Sequence, residues 1–223
     1  MLTKTACLLF LLYALFSFTW QPSKPVRYLP LGDSYTICTG ATAQESWPQL
    51  LTAHLNSNHF ACTLTDNPAR NGFTTQNLID RELPLLKTWK PDLITLLIGV
   101  NDWVQGIPKE TFHKNLAYIL DEVQKALPDK KHIILITIPD FGVTPTGKQY
   151  SNGRNISQGI SEFNLLIKEE AKQRGLPLVD IFDLTKKMGG DAALIAKDGL
   201  HPSAKEYALW EELILPEAVK LLK

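Results

Sequence analysis

The stretch Val26-Arg27-Tyr28-Leu29-Pro30-Leu31-Gly32-Asp33-Ser34-Tyr35 decides how the chain is read. Its first half, 26–31, has the apolar content of a short buried strand. Its second half, Gly32-Asp33-Ser34, is a tight turn. A serine delivered at the carboxyl end of the first strand of an α/β sheet stands where such sheets place their ligands. Alone, a serine hydroxyl is a poor nucleophile. A catalytic reading therefore requires a base, an orienting acid and donors for an oxyanion. Residues of these types follow in separate segments: Gly72 in Arg70-Asn71-Gly72, Asn101 in Gly99-Val100-Asn101-Asp102, and Asp198 and His201 in Asp198-Gly199-Leu200-His201-Pro202.

From Pro25 onward, strand and helix patterns alternate, which implies a parallel sheet with helices on both faces. Strands are expected at 26–31, about 60–66, 92–98, 132–138 and 178–181. The third is nearly all apolar and should be central. A helix is expected from Ser46 to about 55, with Pro48 in its first turn. Thr74 or Thr75 should cap a second helix that Pro84 disturbs. Pro108 introduces a third, with Phe112, Leu116, Ile119, Leu120, Val123 and Leu127 on one face. A polar loop at 142–155 leads to a helix at 156–174, stopped by Gly175. Ser203-Ala204-Lys205-Glu206 reads as a capping box, with Pro202 and Tyr207 as the hydrophobic staple, opening the last helix just after His201. In a parallel sheet the loops at the carboxyl ends of the strands open on one edge, so Ser34, Gly72, Asn101, Asp198 and His201 can converge. No internal repeat or second domain is visible.

The chain has 223 residues, enough for one domain with a substantial core. Its 23 basic and 23 acidic residues cancel, which argues against a nucleic-acid partner. Residues 1–20 carry Lys4 and an apolar run at 6–18, short for a membrane span and suited to a signal peptide. The small residues at Ser17-Phe18-Thr19 make a poor cleavage site, so an uncleaved membrane anchor is the rival reading. Either implies an exported protein, periplasmic or secreted, with its domain at 25–223. Loss of the signal would leave Cys38 and Cys62, which could pair or remain as two small buried thiols; the second is preferred. No metal-ligand spacing occurs, and no cofactor is expected. Thr36 stands where a Gly-x-Ser-x-Gly elbow would need its second glycine.

Taken in order, Gly32-Asp33-Ser34, Gly72, Gly99-Val100-Asn101-Asp102 and Asp198-Gly199-Leu200-His201 resemble the blocks of the SGNH hydrolases, also called the GDSL esterase/lipase family. The resemblance runs from about Pro25 to the end. It implies a flavodoxin-like three-layer α/β/α sandwich with a five-stranded parallel sheet. It also implies a serine esterase that cleaves carboxylic esters through an acyl-enzyme intermediate. Ser34 would be the nucleophile, His201 the base and Asp198 its orienting acid. The oxyanion hole would combine the N–H groups of Ser34 and Gly72 with the side chain of Asn101. The implied substrate is a small acyl ester: the family includes lysophospholipases, short-chain acyl esterases and thioesterases, with carbohydrate acetyl esterases as an alternative.

Trp103, Val104, Phe141 and Val143 flank these loops and are the candidates for an acyl pocket. Arg70, Lys148 and Arg154 are read as solvated charges. Asp33 and Asp102 are read as turn-holding residues, and His54, His59, His113 and His132 as surface or structural. Each motif also has an ordinary use alone, since Asp-Ser suits a turn and His-Pro a helix lead-in. A different class, a flavin-binding carrier of the same fold, is suggested by Ile37-Cys38-Thr39-Gly40-Ala41-Thr42, which comes near a phosphate-cradling loop. That reading fails where Ile37 replaces the first hydroxyl residue, and it leaves Asp198 and His201 unexplained.

Overall fold

A computed structural model describes residues 24–223. The expected signal or anchor at 1–20 lies outside the described residues. The elements, in chain order, are β1 (Val26–Gly32), α1 (Trp47–Ser57), β2 (Cys62–Leu64), α2 (Thr75–Arg81), α3 (Leu86–Trp89), β3 (Leu93–Leu97) and α4 (Val100–Val104). They continue with α5 (Lys109–Ala126), β4 (Ile133–Ile136), α6 (Ile156–Arg174), β5 (Leu178–Val179), α7 (Phe182–Thr185) and α8 (Ala204–Leu222). The five strands form one parallel sheet in the order β2-β1-β3-β4-β5. Every residue of the central strand β3 is buried, because helices cover both faces of a sheet built by such crossovers. One layer pairs α1 with α8; in the other, α5 packs against α2 and α6. Among the described residues, no helix is long and apolar enough to cross a membrane.

The helices follow their patterns closely. α5 buries Phe112, Leu116, Ile119, Leu120 and Val123. α6 ends at Gly175, whose φ of 62° suits a left-handed cap. Thr74 caps α2, and the chain passes through a 3-10 turn at Pro84 before α3. Two caps differ from expectation. Ser46 precedes α1, but its hydroxyl donates to the carbonyl of Ala43. Ser203 caps α8, yet the box is not reciprocal: Glu206 turns inward and accepts the indole N–H of Trp210 at 2.9 Å.

The strands are shorter than their apolar runs. β2 has three residues, and Thr65 makes the last bond to Tyr28 before the chain leaves the sheet. Even-numbered residues of β1 turn their peptide groups toward β2: Val26 donates to Ala61, and Tyr28 accepts from Thr65. Past Tyr28 that side of β1 is open. Pro30, with no N–H to satisfy, fits such an edge.

Cys38 and Cys62 are free and buried, as two small thiols. Three histidines serve as ties. His54 meets Glu211 at 3.0 Å between α1 and α8, His113 meets Glu170 at 2.8 Å between α5 and α6, and His132 lies 3.1 Å from the carbonyl of Asp92.

At Gly32, β1 pairs with Leu97 of β3. Its φ is +154°, and an added Cβ would sit 2.1 Å from the Leu97 carbonyl and 2.2 Å from Oγ1 of Thr36. The Leu97 contact is backbone and cannot swing away. Gly32→Ala is therefore expected to lower stability by about 3 kcal/mol, through overpacking and strained backbone. Urea unfolding measures this, and a midpoint matching the parent would contradict it.

Candidate active site

The turn after β1 is self-supporting. Oδ1 of Asp33 accepts the N–H of Tyr35 at 3.0 Å, and the Asp33 carbonyl accepts from Thr36 and Ile37. Thr36 bridges the carbonyls of Leu31 and Leu97, so the turn is also tied to β3. Burial pushes the Asp33 carboxyl up to about 8, so this acid is predominantly neutral at pH 7. Ser34 follows it, nearly buried but open to a cavity.

Asn101 lies in the first turn of α4, after Gly99. Gly99 has φ +123°, and a Cβ there would meet the Phe112 ring at 2.5 Å. Nδ2 of Asn101 donates to the carbonyl of Phe73 at 2.9 Å, which ties α4 to the Gly72 loop. One amide hydrogen is spent on that tie and the other remains. Asp102 accepts both the N–H and the hydroxyl of Thr75, fixing the start of α2 to α4. Gly72 has φ +80° and, among the described residues, nothing within 4 Å of where its Cβ would be.

Between α7 and α8, Nδ1 of His201 lies 2.6 Å from Oδ2 of Asp198. The other carboxylate oxygen accepts the N–H groups of Leu200 and His201, each at 2.9 Å. Burial opposes ionisation of Asp198, but the Leu200 N–H, the imidazole and the His201 N–H outweigh it and hold this carboxyl below the usual range. The loop is fastened to residues 142–155 by Thr146, which bonds the carbonyls of Asp198 and Gly199. The Tyr35 ring stands edge-on to the imidazole at 5.8 Å, backed by Trp210.

Ser34, Gly72, Asn101 and His201 line one cavity of about 250 Å³, together with Tyr35, Asn71, Val100, Val104, Phe141, Tyr150 and Leu200. Asp198 stands beside His201, outside that lining. Of the four residues expected to form an acyl pocket, Val104 and Phe141 line the cavity, whereas Trp103 and Val143 do not. Trp103 is buried beneath it, edge-on to Phe141, and has room only because residue 159 is glycine. Val143 packs against Gly189. Val100 and Val104, four residues apart on α4, both reach the cavity, while the Trp103 ring goes down against Phe141 and Gly159. That spacing would have found Val100, and adjacency to His201 would have found Leu200. Nothing in the sequence signals Tyr150, which arrives in a 3-10 turn within 142–155. The guanidinium of Arg154 bonds the carbonyls of Trp103 and Val104 and lies 3.9 Å over the Trp103 ring; that of Arg70 bonds Asn67 and Ala69. Both are loop braces.

Comparison with known proteins places this arrangement. The GDSL-like Lipase/Acylhydrolase family matches residues 31–209, from the first strand into the last helix. A multidomain esterase of Ruminococcus flavefaciens is 34% identical over 125 residues, which are 55% of this chain but only 15% of that protein. An arylesterase of Vibrio mimicus is 25% identical over 196 residues, spanning 88% of this chain and 90% of the relative. The crystal structure of a lipase/acylhydrolase from Enterococcus faecalis superposes with a TM-score of 0.68 at 25% identity, covering 89% of this chain and 98% of that one. With its parallel sheet, its strand-end loops and a match over most of its length, the chain belongs to the GDSL-like lipase/acylhydrolase family of ester-hydrolysing serine hydrolases.

Proposed function

We propose that the protein is a short-chain acyl esterase working through a Ser34-His201-Asp198 triad. The observation that carries this is the 2.6 Å His201–Asp198 pair, whose His201 lines the same cavity as Ser34, Gly72 and Asn101. With Nδ1 held by the carboxylate, Nε2 is the ring nitrogen left to take the Ser34 proton. Oγ attacks the ester carbon, and the carbonyl electron pair moves onto oxygen. The N–H groups of Ser34 and Gly72 and the free Nδ2 hydrogen of Asn101 receive that oxyanion. Collapse breaks the bond to the alcohol, which leaves with the proton from His201. Water then repeats the sequence on the acyl-enzyme and regenerates Oγ–H.

Size supports a small acyl group. The cavity of about 250 Å³ lies below the range of roughly 300–1,000 Å³ common for drug-sized ligands. Val100, Val104, Phe141 and Leu200 give it an apolar lining, and a long chain would have to run out of it into solvent. The arylesterase relative is in keeping with a compact ester. Lys4 and the apolar run at 6–18 support export as the setting.

Ser34→Ala is expected to abolish labelling by a fluorophosphonate probe and to cut kcat by about 10⁴-fold or more, as is His201→Ala; Asp198→Ala should cost less, because the base remains. Undiminished turnover by the Ser34 variant would remove the triad. Asn101→Ala should lower kcat about 10²- to 10³-fold with KM less affected; a rise in KM alone would make Asn101 a substrate contact. Across a series of p-nitrophenyl esters, kcat/KM should peak at short acyl chains and fall for long ones, and an optimum at a long chain or on an acetylated carbohydrate would replace this substrate class. Turnover should fall on acidification, since a protonated His201 accepts no proton; a rate indifferent to acid would argue against it.

A further inference from the structure

Glu82 lies wholly buried where α2 meets the 3-10 turn Leu83–Leu85, and its Oε2 accepts the N–H of Gly32 at 3.0 Å. A buried carboxyl is costly, and the sheet explains its presence. Past Tyr28, the β2-facing side of β1 has no strand to bond. On that side Pro30 carries no N–H, but Gly32 does, two residues before Ser34. Without a partner, that buried N–H would be an orphan at the point where the backbone turns to present the serine. A side chain from another element fills the place of the missing strand.

We infer that Glu82 is a positioning residue for the nucleophile: it clamps the Gly32 peptide and thereby sets the direction in which Ser34 presents its Oγ and N–H. This rests on the reading of Ser34 as nucleophile. Gly32 is held on its other side by Leu97 and Thr36, against which it has no room for a Cβ, so the two constraints together leave the peptide one orientation. Asp33, the next residue, contributes a second fully buried carboxyl. Among the described residues, none donates a hydrogen bond to its Oδ2 or to Oε1 of Glu82.

The charged groups acting on this pair are few. Glu82 faces Asp33 from the turn after β1 and Arg70 from the loop after β2, while Asp102 of α4 acts on Asp33. Burial dominates both carboxyls and pushes each up to about 8. Neutral Glu82 still accepts the Gly32 N–H through one oxygen, so the clamp is intact at neutral pH. The sign follows: the folded state holds these protons more tightly than the unfolded chain, where carboxyls titrate near 4. Their stabilising contribution is complete below about pH 4, declines as pH rises and is lost through about pH 8. An ionised Glu82 accepts the Gly32 N–H as well, so the clamp itself does not open with pH, whereas stability should fall between about pH 4 and pH 8 and level off above it.

The test compares the full-length parent with Glu82→Gln, Glu82→Met and Ser34→Ala, measuring kcat and KM for p-nitrophenyl acetate, urea unfolding from about pH 4 to pH 8, and amide hydrogen exchange at Gly32. Glu82→Met removes the acceptor. It should lower kcat about tenfold or more with KM changed less than about twofold, and speed exchange at Gly32. Glu82→Gln keeps an acceptor and cannot ionise. It should retain kcat within about twofold, keep exchange at Gly32 slow, and reduce the fall in stability between about pH 4 and pH 8, the part due to Asp33 remaining. Parental kcat in Glu82→Met, or equal impairment in Glu82→Gln, would each overturn the inference. If Glu82→Met does not fold, Glu82→Gln decides, retained kcat with slow Gly32 exchange supporting the clamp and loss of either overturning it. Retained activity in Ser34→Ala would instead fail the reading of the nucleophile, and so separates the two.

Discussion

The site depends on β1 and β3 ending at the same level. Gly32 lies opposite Leu97 in the ladder, so the two chains leave the sheet side by side, one toward Ser34 and the other toward Asn101. Close approach is what permits this, and each exit needs a glycine, Gly32 in the first case and Gly99 in the second, because a Cβ would strike backbone or the Phe112 ring. The remaining parts are fastened to this pair of exits. Asn101 holds the Gly72 loop through Phe73, Asp102 holds α2 through Thr75, and Thr36 joins the serine turn to β3.

Much of this was legible in the residues. The alternation of patterns gave the layered sheet, β3 was recognisable as its centre, and α6 runs over the limits its apolar spacing and Gly175 indicate. The strand ends were not legible, for a specific reason. An apolar residue looks the same whether its peptide is bonded by a neighbouring strand or by a side chain. Asn164 of α6 bonds both the N–H and the carbonyl of Ile138, just past β4, and Oγ1 of Thr137 accepts the N–H of Ile181, just past β5. These side chains finish ladders that strands do not, so the apolar runs outlast the strands. Glu82 belongs to the same class, and its partner lies 50 residues away. The partners of His54 and His113, 157 and 57 residues distant, were hidden in the same manner.

Residues 142–155 read as a polar loop because they lack periodicity, yet they brace the site from outside. Thr146 secures the backbone of Asp198 and Gly199, Arg154 closes over the carbonyl end of α4, and Tyr150 borders the cavity. Such a segment couples the acid-base loop to the Asn101 helix without a strand or long helix of its own. Compositional reading registers its polarity and misses its bonds.

The direction of β1 has a practical consequence. The strand enters at Val26 and runs seven residues to Gly32, so at about 3.3 Å per residue its two ends are roughly 20 Å apart. Lys24 therefore sits at one pole of the domain and the cavity mouth at the other. A support, dye or partner domain coupled at Lys24 would hold the domain by its far pole and leave the mouth facing bulk solution.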